Sequence, residues 1–132
     1  MTEADSDPGA GGRIKTPPTS GQVELDCPNL TGTTHEVQVG SSKVEFVARC
    51  GINHPSGDLA RLPAYSFRDC LIACATYNDY NVTARNCVAT QFYSRLRTEN
   101  GGNCWLKYEI GESQENENEK TKNDNVAAEL LS

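Results

Sequence analysis

No run in this chain approaches the roughly 18 consecutive apolar residues that a membrane-spanning helix needs, so such a helix is not among the expected elements. The stretch Met1 to Gly12 has no hydrophobic segment of the kind that serves as a secretion signal. Histidine occurs only twice, as His35 and His54, and both read as surface residues. There is no G-x-S-x-G nucleophile elbow, no H-E-x-x-H helix and no glycine-rich phosphate cradle, so neither catalysis nor a cofactor is expected. Positive charge is also short: 12 Lys and Arg face 18 Asp and Glu, for a net charge of −6. Without a basic footprint, nucleic acid is not an expected partner.

What the chain does have is six cysteines, all between Cys27 and Cys104. An even number in one short central stretch is the pattern of an oxidised framework, because a small domain buries too little apolar surface to be secure without cross-links. A disulfide framework places the chain outside the cell or at its surface. With no visible signal, the expectation is that it is a piece of a longer secreted or membrane-anchored protein. The alternative is a small intracellular domain in which Cys70, Cys74, Cys87 and Cys104 hold zinc. Against it, C-x3-C on one helix followed by single cysteines 13 and 17 residues further on is not paired-knuckle spacing. Two acceptor sequons, at Asn29 and Asn81, fit an exported glycoprotein.

Charge and punctuation divide the chain in three. Residues 1–21, rich in Gly, Pro, Ser, Thr and Asp, read as a disordered linker. Residues 22–110 carry 9 acids and 8 bases and form the folded module. Residues 111–132 carry 6 acids and 2 bases and read as an acidic disordered tail, with at most a helical turn at Val126 to Leu131. Within the module, Val37 to Val39 and Val44 to Cys50 alternate around Gly40-Ser41-Ser42-Lys43, which predicts a hairpin. Residues 51–65 are punctuated densely enough by Gly and Pro to read as a surface loop. A helix starts at Ser66, with Asp69 three residues on as a capping pair. It buries Phe67, Cys70, Leu71, Cys74 and Tyr77 on one face and stops at Asn78-Asp79. Strands at Cys87 to Tyr93 and Cys104 to Ile110 complete an α+β fold, a small antiparallel sheet with one helix packed across it.

Cys70 and Cys74 sit one helical turn apart, about 6 Å at their side-chain roots, too far for a disulfide with each other. Each must reach the sheet, where Cys87 and Cys104 are the candidates. Cys27 and Cys50 bracket the hairpin. The expected pairs are Cys27–Cys50, Cys70–Cys104 and Cys74–Cys87.

The run Ser66 to Cys74, the single Cys87 leading a strand, and Cys104-Trp105-Leu106-Lys107 resemble the PAN/Apple domain. Cys27-Pro28-Asn29 and Cys50 with Gly57-Asp58-Leu59 are similar to the variant common in fungal apple-domain proteins. The likeness spans about residues 27–109. It implies two helix-to-sheet disulfides and a non-catalytic extracellular adhesion module that binds carbohydrate or protein, or a structural spacer in a larger secreted or anchored protein. In blood-protease apple domains a further disulfide ties the ends of the domain, whereas Cys27 and Cys50 both precede the helix.

Candidate ligand contacts are Arg95 and Arg97 on the polar loop 94–103, with Arg85 in the preceding connection. A guanidinium on a loop backed by a rigid sheet grips sulfated sugars or carboxylates through forked hydrogen bonds. Trp105 is a further candidate, since sugar faces stack on indole.

Overall fold

The computed structural model describes residues 21–80, 85–95, 101–118 and 121–131. The first two named strands form a hairpin, β1 (Thr34–Val39) and β2 (Ser42–Cys50). Its connection at Gly40 has φ +59°, a backbone conformation that costs glycine little and other residues more. Then come β3 (Ile52–Asn53), β4 (Asp58–Leu62), α1 (Phe67–Asp79), β5 (Ala89–Tyr93), β6 (Cys104–Lys107), β7 (Gln114–Glu115) and β8 (Asn125–Leu130). Six of the strands form one antiparallel sheet in the order β1-β2-β8-β5-β6-β4, and β3 pairs with β7 in a separate two-stranded ribbon.

Helix α1 forms where the capping pair places it. Ser66 is the N-cap, and its hydroxyl accepts the Asp69 amide at 3.0 Å. The helix buries Phe67, Cys70, Leu71 and Cys74 against one face of the sheet. Strand alternation delivers Val37, Phe46, Ala48, Phe92, Leu106, Val126 and Ala128 to the same core. The disulfides join Cys27 to Cys50, Cys70 to Cys104 and Cys74 to Cys87, with Cα separations of 5.8, 5.7 and 5.5 Å. The four thiolates that a zinc site would need are therefore held in S–S bonds. Beside the last disulfide, the Asn78 amide donates to the Cys87 carbonyl at 2.8 Å and accepts its N–H at 2.7 Å.

Three expectations are overturned. The acidic tail is not a disordered appendage: Asn125–Leu130 is strand β8, placed between β2 and β5, with Val126, Ala127 and Ala128 fully buried. The module thus extends to Leu131, whose N–H donates to the Glu45 carbonyl. The helical turn expected at Val126 to Leu131 gives way to this strand, because pairing on both sides satisfies every backbone group of a buried run. Residues 51–65 are not simply a loop, since they supply β3 and the edge strand β4, with a bulge between Asp58 and Ala60. Residues 1–20 of the expected linker lie outside the described residues.

Candidate functional site

The sheet face away from α1 is built by the other half of the alternation. Trp105 lies opposite Gln91 on β5 and Arg61 on β4, and Tyr93 lies opposite Asn125 on β8. The Arg61 guanidinium lies 4.2 Å from the centre of the Trp105 ring, which Tyr93 meets edge-on at 5.2 Å. Arg61 also donates through Nε to the Gly102 carbonyl at 2.9 Å. Gly102, at φ +123°, lets the backbone pass so close to Leu62 that a Cβ would sit 2.1 Å from its carbonyl carbon.

Part of this face is covered by a strap made of residues 51–57 and 110–118, joined through β3 and β7. His54 fixes the strap to the sheet and is fully buried, which corrects its reading as a surface residue. Its N–H donates to Gln91 Oε1 at 3.1 Å. Its ring lies between Ser113 Oγ, 3.4 Å from Nδ1, and Glu129 Oε2, 3.4 Å from Nε2, and Arg49 Nε stands 3.7 Å from the same carboxylate oxygen. The ring exposes no surface on which a substrate could rest, so this row works as an anchor. His35 is half-buried, edge-on to Phe67 at 5.2 Å. Burial first, and the Arg68 guanidinium second, hold it below the ordinary histidine range.

Where strap, β5 and β8 meet, two clefts open on either side of Asn116. The smaller, about 220 Å³, is lined by Tyr93, Arg95, Asn116, Thr121, Asp124 and Asn125. The larger, about 600 Å³, lies between the Cys50-Gly51-Ile52 segment and the run Glu115-Asn116-Glu117, with Pro28, Lys122 and Asn123 completing it. Asn116 is a fixed partition. Its N–H donates to the Gly51 carbonyl at 2.7 Å, and its amide donates to Thr121 Oγ1 at 3.2 Å and Asn125 Oδ1 at 3.3 Å. Asn125 in turn donates to the Ile52 carbonyl at 3.1 Å, and the Tyr93 hydroxyl donates to Asn53 Oδ1 at 3.5 Å. Ser94 donates its N–H to the Asp124 carbonyl at 2.8 Å, which closes the end of β5 against the turn before β8.

Of the residues marked from sequence, Arg95 lies in the smaller cleft, and Trp105 touches it through Tyr93. Arg95 is exposed and forms no ion pair among the described residues. Arg85 does not join them. It stacks on Tyr108 at 4.2 Å at the other end of β5, a strand of roughly 17 Å at about 3.3 Å per residue. Arg97 and the sequon residue Asn81 lie outside the described residues. Asn29 stands exposed, donating to Asp26 Oδ1 at 2.9 Å.

Sequence reasoning missed Asn116, Thr121, Asp124 and Asn125 because all four fall in the stretch taken as a tail. The signal for them was the apolar run Val126-Ala127-Ala128, which gives the preceding polar turn a fixed place. Among the described residues there is no cluster of three metal-ligating side chains, and no helix is long and apolar enough to cross a membrane. Compared with protein-family models, with curated proteins and with solved structures, the chain matches none of them.

Proposed function

We propose that this chain is a non-catalytic extracellular recognition module of PAN/Apple type whose ligand is a carbohydrate, bound in the cleft that β5 and β8 form with Asn116, Thr121 and Asp124. The observation that carries the reading is the chemistry of the smaller cleft. It combines an aromatic side chain, a guanidinium without an ion partner among the described residues, a carboxylate and three amide or hydroxyl side chains. Planar amides and carboxylates pair with vicinal hydroxyls, an arginine fork takes a carboxylate or ring oxygen, and the apolar C–H face of a sugar ring packs on an aromatic ring face. The amides are already fixed by one another, so little side-chain entropy remains to be lost on binding. The three disulfides support an oxidising setting.

A glycan array probed with the whole chain tests the proposal. Selective binding is expected, and Arg95→Ala should weaken it about tenfold or more without moving the melting temperature, since Arg95 is exposed. Capture of protein ligands only, with no sugar bound, would replace the carbohydrate reading by a protein-binding one.

A further inference from the structure

The reading of the smaller cleft as a sugar site leaves the larger one without a role, and its size argues that it has one. Ligand sites are commonly about 300–1,000 Å³, so the smaller cleft alone holds too little for a tightly bound oligosaccharide, whereas the larger falls within that range. The two share Asn116 as a wall, so a chain of sugar rings can cross from one to the other. Charge then selects the chain. On the near side stand Arg95 and Asp124, and beyond Asn116 stand the exposed carboxylates of Glu115 and Glu117, with Lys122 as the only cation among the described residues lining that side.

Resting on the carbohydrate reading, we infer that the two clefts form one extended site for a neutral oligosaccharide capped by a single carboxylated sugar. The capping carboxylate pairs with Arg95, and the neutral rings lie over Ile52 and Pro28, hydrogen-bonded by Asn123 and by the remaining lone pair of Asn116 Oδ1, whose two amide N–H groups are already taken. A polyanionic chain such as a polyuronate or a heavily sulfated glycan is rejected, because its second and third charges meet Glu115 and Glu117. Like charges brought together at an interface suppress wrong partners more than opposite charges strengthen right ones. This narrows the sulfated-sugar preference that the arginines alone suggest. The difference arises because the acidic C-terminal stretch folds back beside Arg95.

The test is calorimetric titration of the whole chain with four probes: sialic acid, lactose, sialyllactose and tetragalacturonate. Sialyllactose should bind about tenfold or more tighter than either of its parts, and tetragalacturonate no better than sialic acid. A double substitution, Glu115→Gln with Glu117→Gln, should raise tetragalacturonate affinity about tenfold while leaving sialyllactose within about threefold. That gain cannot come from misfolding. Equal affinity for sialic acid and sialyllactose, or tightest binding of tetragalacturonate to the unsubstituted chain, overturns the extended single-acid site while keeping the carbohydrate reading. Failure of all four probes, on a chain that melts cooperatively and binds no sugar on the array, overturns both.

Discussion

Asn103 is the residue on which the geometry of the site depends most. Fully buried just before Cys104, it accepts the Ala64 N–H at 2.8 Å and donates to the carbonyls of Ala64 at 2.9 Å and Tyr93 at 2.8 Å. It therefore ties the entry to α1 to the end of β5, where Tyr93 enters the cleft. Removing a buried partner leaves the groups it satisfied unpaired, at about 1–3 kcal/mol each, so Asn103→Ala is expected to cost about 3 kcal/mol or more in urea unfolding. A loss below about 1 kcal/mol would mean that these backbone groups find other partners. His35 carries the second prediction at this scale. Its folded value lies below the ordinary 6.5 because burial disfavours the charged ring, so the unfolded chain takes up the proton first as pH falls. The stability it contributes is full above about pH 6.5 and is lost as pH falls from there through the lowered folded value. Melting temperature should therefore drop more between pH 7 and pH 5 in the unsubstituted chain than in His35→Gln. Equal drops would remove His35 as the source.

Among the elements, β8 matters most. Among the described residues it is the only strand joining the β1–β2 hairpin to β5, β6 and β4 within the main sheet. Ending the chain at Ile110 would leave a two-stranded hairpin and a three-stranded remnant, and an isolated hairpin is at best marginally stable. The truncated chain is expected to lose cooperative melting in near-ultraviolet circular dichroism. Melting within about 5 °C of the full chain, equivalent to about 1 kcal/mol for a domain of this size, would contradict the central position of β8. Helix α1 and β5 are legible in the sequence because their signals are local: Ser66 with Asp69 marks a start, and Phe67, Cys70, Leu71 and Cys74 keep helical spacing. The cysteine pairing is legible in part: helix geometry bars Cys70 from Cys74 and sends both to other elements, and the PAN/Apple resemblance implies two helix-to-sheet bonds. Strand β8 is not legible. A strand buried on both faces loses the alternation that identifies strands, and Ala127-Ala128 favours helix when read alone. Its partners lie far away in sequence, with Ala48 paired to Ala128, and the polar residues 112–119 before it mask the signal. Strand β4 is hidden for a different reason, since Gly57 and Pro63 bracket only five residues, of which Asp58 and Arg61 point to the polar side.

For the molecule as a whole, the fold of the C-terminal stretch and the site follow from one fact. Residues 114–118 cover the sheet through β7, residues 121–124 supply the polar turn of the cleft, and residues 125–130 enter the sheet as β8. Arg95 and Trp105 were accessible to sequence reasoning because they belong to elements with local signals, whereas the amides and carboxylates facing them depend on that return path. Two helix-to-sheet disulfides and one at the hairpin hold the framework, each contributing on the order of 3 kcal/mol through the unfolded chain. The measurement that tests this account most directly is amide hydrogen exchange across residues 126–130 in the full-length chain. Protection equal to that of residues 89–93 in β5 is expected, since both strands are paired on either side inside the sheet. Exchange of 126–130 at the rate of an unstructured tail, with 89–93 still protected, would contradict both the sheet order and the cleft built on it.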